Sequence, residues 1–349
     1  MGFSSQMKKR TGDGFAITLS FVFLDAIFFS ALPLLNISYG PILSVLCVFI
    51  FIRVGIFFIY FLCSHLFSKS LVNFSRMVRK IPILIANLFI TILAVYSFCI
   101  EPFLITINRV EIPVSGLQET IRIVQISDLH IEQTTKRERI LPGLVNHLEP
   151  ELIVITGDFV NESDGLTPEK KIALTKLLNQ LQAPMGVFAV NGNIESPGSL
   201  RPLLKDTQVQ VLDNTIVRLM TNSGKIVMVG LSCFEWQADG MELQNLMNQA
   251  EPDEFSILLY HKPDLAYEAD KSGVDLYLAG HTHGGQVRLP FYGAIYTNSR
   301  YGKTFEMSLY QLEHTTLYVN RGLGFTGGST PRIRFLAPPE VTLIELVPG

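Results

Sequence analysis

Asp, Asn and His residues gather at five places in this 349-residue chain, each just after a short apolar run. They are Ser-Asp-Leu-His at 127–130, Gly-Asp at 157–158, Gly-Asn at 192–193, a lone His261, and Gly-His-Thr-His at 280–283. The candidate ligands are therefore Asp128, His130, Asp158, Asn193, His261, His281 and His283. A set balanced between oxygen and imidazole suits borderline divalent ions such as Mn, Fe, Zn or Co. Asp128 and His130 are two residues apart, so a loop turning between them brings both to one ion. The two oxygens of Asp158 can bridge a pair of ions. His281 and His283 flank Thr282 and can reach one ion each, while Gly280, Gly284 and Gly285 leave the backbone room to bend. Two ions about 3.5–4 Å apart polarise a phosphoryl group and acidify water near neutral pH. Each motif alone is commonplace; the signal is the ordered set.

These loops need a frame. Ile121–Ile126, Leu152–Thr156, Val187–Val190, Lys225–Val229, Ser256–Leu259 and Asp275–Leu278 read as strands, and Lys136–Leu148 and Pro168–Leu181 as amphipathic helices between strands. That alternation implies an α/β sandwich. Ligand sites in open α/β sheets lie beyond the carboxyl ends of strands, so the spacing brings five loops to one sheet edge.

From about residue 120 onward the chain resembles the calcineurin-like metallophosphoesterase superfamily, whose signature is Asp-x-His, Gly-Asp, Gly-Asn-His-Asp/Glu, a lone His and Gly-His-x-His. Gln125-Ile-Ser-Asp-Leu-His130, Gly280-His-Thr-His-Gly-Gly-Gln286 and Asn320-Arg-Gly-Leu-Gly324 resemble its membrane-attached bacterial branch. The resemblance implies two mixed sheets flanked by helices. It implies one divalent ion on Asp128, His130, Asp158 and His283 and another on Asp158, Asn193, His261 and His281, with Asp158, Asn193 and His281 taking part in catalysis. One position departs: the third motif reads Gly192-Asn193-Ile194-Glu195. The family's histidine at residue 194 binds phosphate and protonates the leaving oxygen, and isoleucine does neither. The family's UDP-diacylglucosamine pyrophosphatases also lack histidine there, and a phosphate leaving group needs little protonation.

Residues 1–110 differ in kind. The runs Phe15–Leu35, Pro41–Phe67 and Ile81–Ile100 reach the roughly 20 residues that cross a 30 Å hydrocarbon core. They mark 1–110 as a three-helix membrane anchor and 111–349 as the hydrolase domain, with 101–119 a mostly polar link into it. Asp25 and Arg53 fall inside the first two runs and are expected to pair. Lys8, Lys9 and Arg10 precede the first run; Lys69, Arg76, Arg79 and Lys80 follow the second, and Asn36–Gly40 is uncharged. That bias places the amino terminus inside and the domain outside the cytoplasm. Residues 1–110 carry nine Lys/Arg and three Asp/Glu, a net +6, which leaves −9 for the remainder of a chain whose net is −3. So acidic a domain counts against nucleic acid as partner, since that binding relies on Lys/Arg contacts to phosphates. Cys233 is the domain's only cysteine, so no disulfide forms within it.

The expected partners are a lipid bilayer and a small-molecule or lipid-linked phosphate. The expected activity is hydrolysis of a phosphodiester, phosphomonoester or pyrophosphate at the cell membrane. Two alternatives stand beside it: a UDP-2,3-diacylglucosamine pyrophosphatase of lipid A synthesis, whose cytoplasmic substrate conflicts with the derived topology, and a catalytically impaired metal-binding module. Leu289–Tyr296 and Gly322–Thr326 read as packed β-turns, with an acyl-chain contact or bilayer-facing rim as the alternative. Arg288, Arg300 and Arg321 read as surface ion pairs, with a contact to a phosphate oxygen as the alternative, and His147 as structural.

Overall fold

The computed structural model of the chain describes all residues except 1, 38–39, 68–75, 133, 162–165, 222–223 and 328–330. Lys69 and part of the Asn36–Gly40 link, used above for topology, lie outside the described residues. There are two compact units: Met1–Ile100 with Gly327–Ile333, and Glu101–Thr326 with Arg334–Gly349.

The first unit holds α1 (Gly2–Ala31), α2 (Ile42–Leu66) and α3 (Arg76–Val95), the last running into a π turn at Tyr96–Ile100. Phe23, Phe51 and Phe89 point outward. Phe29 turns inward onto Phe49 and Phe98, with ring centroids 4.7 and 5.1 Å away. A helix that is apolar all round belongs in a membrane or a large core. Thr11–Leu35, Ile42–Leu66 and Lys80–Phe103 are long and apolar enough to cross a membrane, which supports a membrane location.

The second unit contains two six-stranded mixed sheets. One runs β1 (Thr106–Val114), β14 (Glu340–Pro348), β2 (Ile121–Ile126), β3 (Leu152–Ile155), β4 (Val187–Ala189), β5 (Gln210–Val211). The other runs β12 (Ser308–Gln311), β13 (Thr316–Val319), β9 (Leu276–Ala279), β8 (Glu254–Leu259), β7 (Gly224–Gly230), β6 (Thr215–Thr221). Neighbours are parallel except β14–β2, β12–β13 and β6–β7. The helices are α4 (Lys136–Asn146), α5 (Pro168–Leu178), α6 (Leu200–Leu204), α7 (Trp236–Met247) and α8 (Ala266–Lys271), and a short hairpin joins β10 (Arg288–Leu289) to β11 (Gly293–Ala294).

Side chains alternate across a strand, and the sheets use both faces. On β3, Val154 packs between the sheets with Ile123, Phe188, Met228, Ile257 and Leu278. Ile153 and Ile155 face the other way, onto Leu141 and Val145 of α4 and Leu174 and Leu177 of α5. Across the molecule, Val229, Leu258 and Tyr277 pack outward with Leu243 and Leu246 of α7. The result is the expected sandwich, helices outside and two mixed sheets inside. All six strands and both helices read from the sequence are present, with ends shifted by a few residues. The 101–119 link is a correction: its central nine residues, Thr106–Val114, are β1, paired in parallel with β14 from Thr106↔Glu340 to Val114↔Pro348. As an edge strand it is solvated on one face, so polar residues interrupt its apolar ones. Its partner lies at the far end of the chain. For the same reason the unit boundary falls at Ile100–Glu101, ahead of the expected residue 110.

In the first unit Arg53 is fully buried. Its Nε and Nη2 donate to the two oxygens of Asp25 at 3.0 and 2.8 Å, Nη2 also reaches Thr91 Oγ1 at 2.8 Å, and Nη1 donates to the Asn87 carbonyl. The expected Asp25–Arg53 pair thus joins three helices rather than two. Removing one partner of a buried pair costs about 3–5 kcal/mol, whereas an apolar replacement of both is far better tolerated. Asp25→Ala is therefore expected to destabilise the full chain in detergent by that order, and the double change Asp25→Leu, Arg53→Met by much less. Thermal unfolding of the three proteins tests this; equal losses would contradict it.

Candidate metal centre

The seven predicted residues leave the carboxyl ends of five strands: β2 (Asp128, His130), β3 (Asp158), β4 (Asn193), β8 (His261) and β9 (His281, His283). These strands belong to both sheets, so the site sits where two sheet edges meet rather than on one edge. Asp128, His130 and His283 form one group of donor atoms and Asp158, His261 and His281 another, each with donors within 4.8 Å of one another. Between them lies Asp158 Oδ2, 3.4 Å from His130 Nε2 and 3.3 Å from His261 Nε2. Asn193 Oδ1 stands 3.1 Å from His261 Nε2. It is exposed, whereas the other six are buried, so it marks the side open to solvent.

The donors are aimed by their surroundings. Nδ1 of His261 meets the Thr156 carbonyl at 2.6 Å, and Nε2 of His281 meets the Asn298 carbonyl at 2.8 Å. A carbonyl can only accept, so the proton sits on that nitrogen and the opposite one is left as a ligand. The freed pair, His261 Nε2 and His281 Nδ1, lie 3.2 Å apart. Ser127 Oγ and the His281 N–H both donate to Asp128 Oδ2, at 2.6 and 3.0 Å. Asp128 Oδ1, fully buried, has no hydrogen-bond partner among the described residues and points towards His283 Nε2 at 3.4 Å. An orphaned carboxylate oxygen facing an imidazole nitrogen is what a cation site requires and a hydrogen-bonded core does not.

Electrostatics agree. Burial raises the Asp128 carboxyl to about 6. Burial and the Asp158 charge raise Glu195 to about 7. Burial also works against the Asp158 carboxylate, but the His261 ring, His130 and the Ile194 N–H outweigh it and hold the group well below its usual range. Burial lowers His130 to about 4 and, with His261 alongside, His281 to about 3. It lowers His283 as well, aided by His130 and Arg334. Only His261 is raised, the Asp158 carboxylate overcoming the cost of burial. The buried Asp128 carboxyl resists ionising while His130, His281 and His283 stay neutral, and Asp158 keeps its charge only against a positive neighbour, a need that divalent ions meet.

Several supporting residues escaped the sequence reading. Glu195 is buried, and its two oxygens accept from the N–H groups of Phe159 (2.7 Å), Asp158 (3.1 Å) and Gly192 (2.7 Å). Its place in the third motif was the available signal. Arg334, fully buried, donates to the carbonyls of Ala337, Arg321 and Gly322 and approaches His283 Nδ1 at 3.4 Å; nothing near it in sequence announces that. A Cβ on Gly192 would fall 1.9 Å from Asp158 Oδ1, so only glycine allows the approach. Of the three arginines, Arg288 pairs with Glu306 at 2.8 Å and Arg321 with Glu340, but both pairs are largely buried rather than at the surface as expected. Arg300 instead stacks on Trp236, 3.5 Å from the ring centroid. His147 is exposed at the end of α4.

The comparisons with known proteins point the same way. Residues 121–285 match the family model described as calcineurin-like phosphoesterase. YkuE of Bacillus subtilis, an uncharacterized metallophosphoesterase, is 34% identical over 260 residues, covering 72% of this chain and 88% of its own. This chain belongs to the calcineurin-like metallophosphoesterases. The UDP-2,3-diacylglucosamine pyrophosphatase LpxG of Chlamydia trachomatis is 30% identical over 282 residues, covering 64% of this chain and 83% of its own. Among solved structures, GAP50, the anchor in the inner membrane complex of Plasmodium, aligns with a TM-score of 0.44 at 14% identity, covering 66% of this chain and 82% of its own. As a metallophosphoesterase the chain is a metal-dependent phosphoester hydrolase with two candidate metal-binding groups.

The position of Asp158 Oδ2 yields a test. Elemental analysis of the full-length metallophosphoesterase after metal loading is expected to give close to two ions per chain. Asp158→Ala should fall towards zero, since both groups lose a donor, while His130→Ala keeps about one. Equal metal content in the two variants would contradict the shared position of Asp158.

Proposed function

We propose that the chain hydrolyses a phosphodiester, phosphomonoester or pyrophosphate bond of a lipid-linked or envelope substrate, with its N-terminal helices as anchor. One ion is assigned to Asp128, His130, Asp158 and His283, the other to Asp158, Asn193, His261 and His281. The single observation that carries the assignment is Asp158 Oδ2, which lies between the two groups at 3.4 and 3.3 Å from His130 and His261. When bound, two divalent ions supply Lewis acidity at the phosphoryl oxygens and lower the pKa of water; Mn, Fe and Zn all fit the donors.

The chain's own residues do the rest. Thr156 and Asn298 carbonyls hold His261 and His281 in the tautomer that ligates. Glu195 fixes the backbone that carries Asp158. At residue 194 the backbone N–H donates to Asp158 Oδ1 at 3.0 Å, so the isoleucine keeps a role at the site through its main chain. Its side chain cannot deliver a proton to a departing alkoxide. General-acid help is worth about 10²–10⁴-fold, and its loss favours leaving groups stable as anions, such as a phosphate or aryl oxide.

The LpxG likeness favours a second reading, cleavage of a nucleotide-linked lipid pyrophosphate, for which Ile194 is equally suited. The side of the membrane separates the two. From the Lys/Arg bias, a reporter phosphatase fused after residue 110 is expected to be active and a fluorescent reporter dark; the reverse pattern would favour the nucleotide substrate.

Leaving-group dependence tests the account of Ile194. Wild-type rates, plotted against leaving-group pKa, should fall steeply from aryl to alkyl phosphodiesters. Ile194→His should raise the alkyl rate most, by roughly 10²-fold. A flat wild-type slope would show that another residue supplies the proton.

A further inference from the structure

The packed-turn reading of Leu289–Tyr296 and Gly322–Thr326 divides in the structure. Leu323 and Phe325 are buried as expected. The β10–β11 segment is the opposite: Leu289, Phe291, Tyr292, Ile295 and Tyr296 are all exposed, Phe291 completely and Tyr296 at 70%. Phe291 is held at φ 65, a left-handed conformation that a bulky aromatic adopts at a cost, here with no burial in return.

The loop that follows this rim touches the back of one candidate ligand. Ile295, Tyr296, Asn298, Arg300 and Lys303 line a cavity of about 460 Å³. The carbonyl of Asn298 meets His281 Nε2 at 2.8 Å, and Asp264 pins the loop by accepting from Ser299 Oγ at 2.7 Å and the Arg300 N–H at 3.0 Å. Two cations flank the apolar tip although the domain is acidic. Lys303 Nζ sits 3.6 Å from the Tyr292 ring centroid, and the Arg300 guanidinium stacks on Trp236. Exposed aromatics with Lys and Arg alongside match the headgroup level of a bilayer, where amphipathic rings settle and cations meet anionic lipid. The same chain carries three helices able to span a membrane, which would tether the domain to a bilayer.

We infer that the β10–β11 hairpin is a bilayer-contacting rim, which holds the metal centre against a surface from which a membrane-embedded phosphorylated amphiphile is drawn. The substrate part rests on the hydrolase reading above; the bilayer contact does not.

The test uses the full chain in nanodiscs of phosphatidylcholine brominated on its acyl chains, with and without phosphatidylglycerol. Trp236 is the only native tryptophan, so fluorescence added by Phe291→Trp is read as the difference from the unsubstituted protein in the same nanodiscs. Tyr292→Trp serves as a second probe, and Met220→Trp, on exposed β6, as control. Added emission from residues 291 and 292 should be blue-shifted and quenched several-fold more strongly by brominated lipid than that from 220. In turnover, Phe291→Ser with Tyr292→Ser should raise the apparent KM for a vesicle-embedded lipid pyrophosphate several-fold more than that for soluble bis(p-nitrophenyl) phosphate. Unquenched, solvent-like emission at both 291 and 292, with the metals bound, would overturn the contact while turnover kept the hydrolase reading. Strong quenching with no turnover of any phosphoester would keep the contact and sink the hydrolase reading.

Discussion

Everything in the second unit answers to one demand: six buried donor side chains must converge from turns that leave strands in two different sheets. The backbone shows the strain of it. Asp128, His130, Asp158, His281 and His283 all sit in the left-handed region, at φ 51, 41, 57, 70 and 52. Single residues there cost on the order of 1–3 kcal/mol and persist only where their surroundings over-determine them. The five residues lie in three turns, after β2, β3 and β9, where a left-handed residue bends the chain sharply within a few residues of the strand end.

The surroundings that impose this geometry are specific. Glu195 gathers the amides of Asp158, Phe159 and Gly192 on one carboxylate. Arg334 gathers carbonyls behind His283. The Asp128 and His130 amides hydrogen-bond to the carbonyls of Gly157 and Asp158, at 3.0 Å each, and so lock the first turn to the second. Where these segments cross, no side chain fits: a Cβ on Gly280 would lie 2.0 Å from Ser127 Oγ. Three apolar cores, one between the sheets and one under each helical layer, then fix the two sheet edges with respect to each other.

This division explains what could be read without coordinates. Strands buried on both faces show as short apolar runs, and a run that stops at Asp, Asn or His declares both the strand and a candidate ligand; β2, β3, β8 and β9 were legible for that reason. β1 was not, because half its residues face water and its partner is remote. Among supporting groups, legibility tracks whether the side chain or the main chain does the work. Asn298 orients His281 through its carbonyl, which any residue possesses, so no sequence pattern could mark it. Arg334 acts through its side chain, but its partners are main-chain carbonyls at distant positions. The 289–296 segment was ambiguous because a packed turn and an exposed rim have the same apolar composition; only exposure separates them.

The same distinction accounts for the departure at residue 194. What the centre requires there is an N–H at 3.0 Å from Asp158 Oδ1, and every residue but proline provides one. The ring that the family places at this position serves the leaving group instead. Exchange of histidine for isoleucine therefore leaves the hydrogen bond to Asp158 intact and removes one chemical step. Glu195, whose carboxylate organises three amides, has no such freedom: an apolar replacement would strand those amides in a buried site, at about 1–3 kcal/mol for each unsatisfied group. Within one four-residue motif, then, Gly192 is held by steric contact, Glu195 by hydrogen bonding, and Ile194 in its main chain alone. A side-chain change at residue 194 therefore leaves the hydrogen bonds around Asp158 in place.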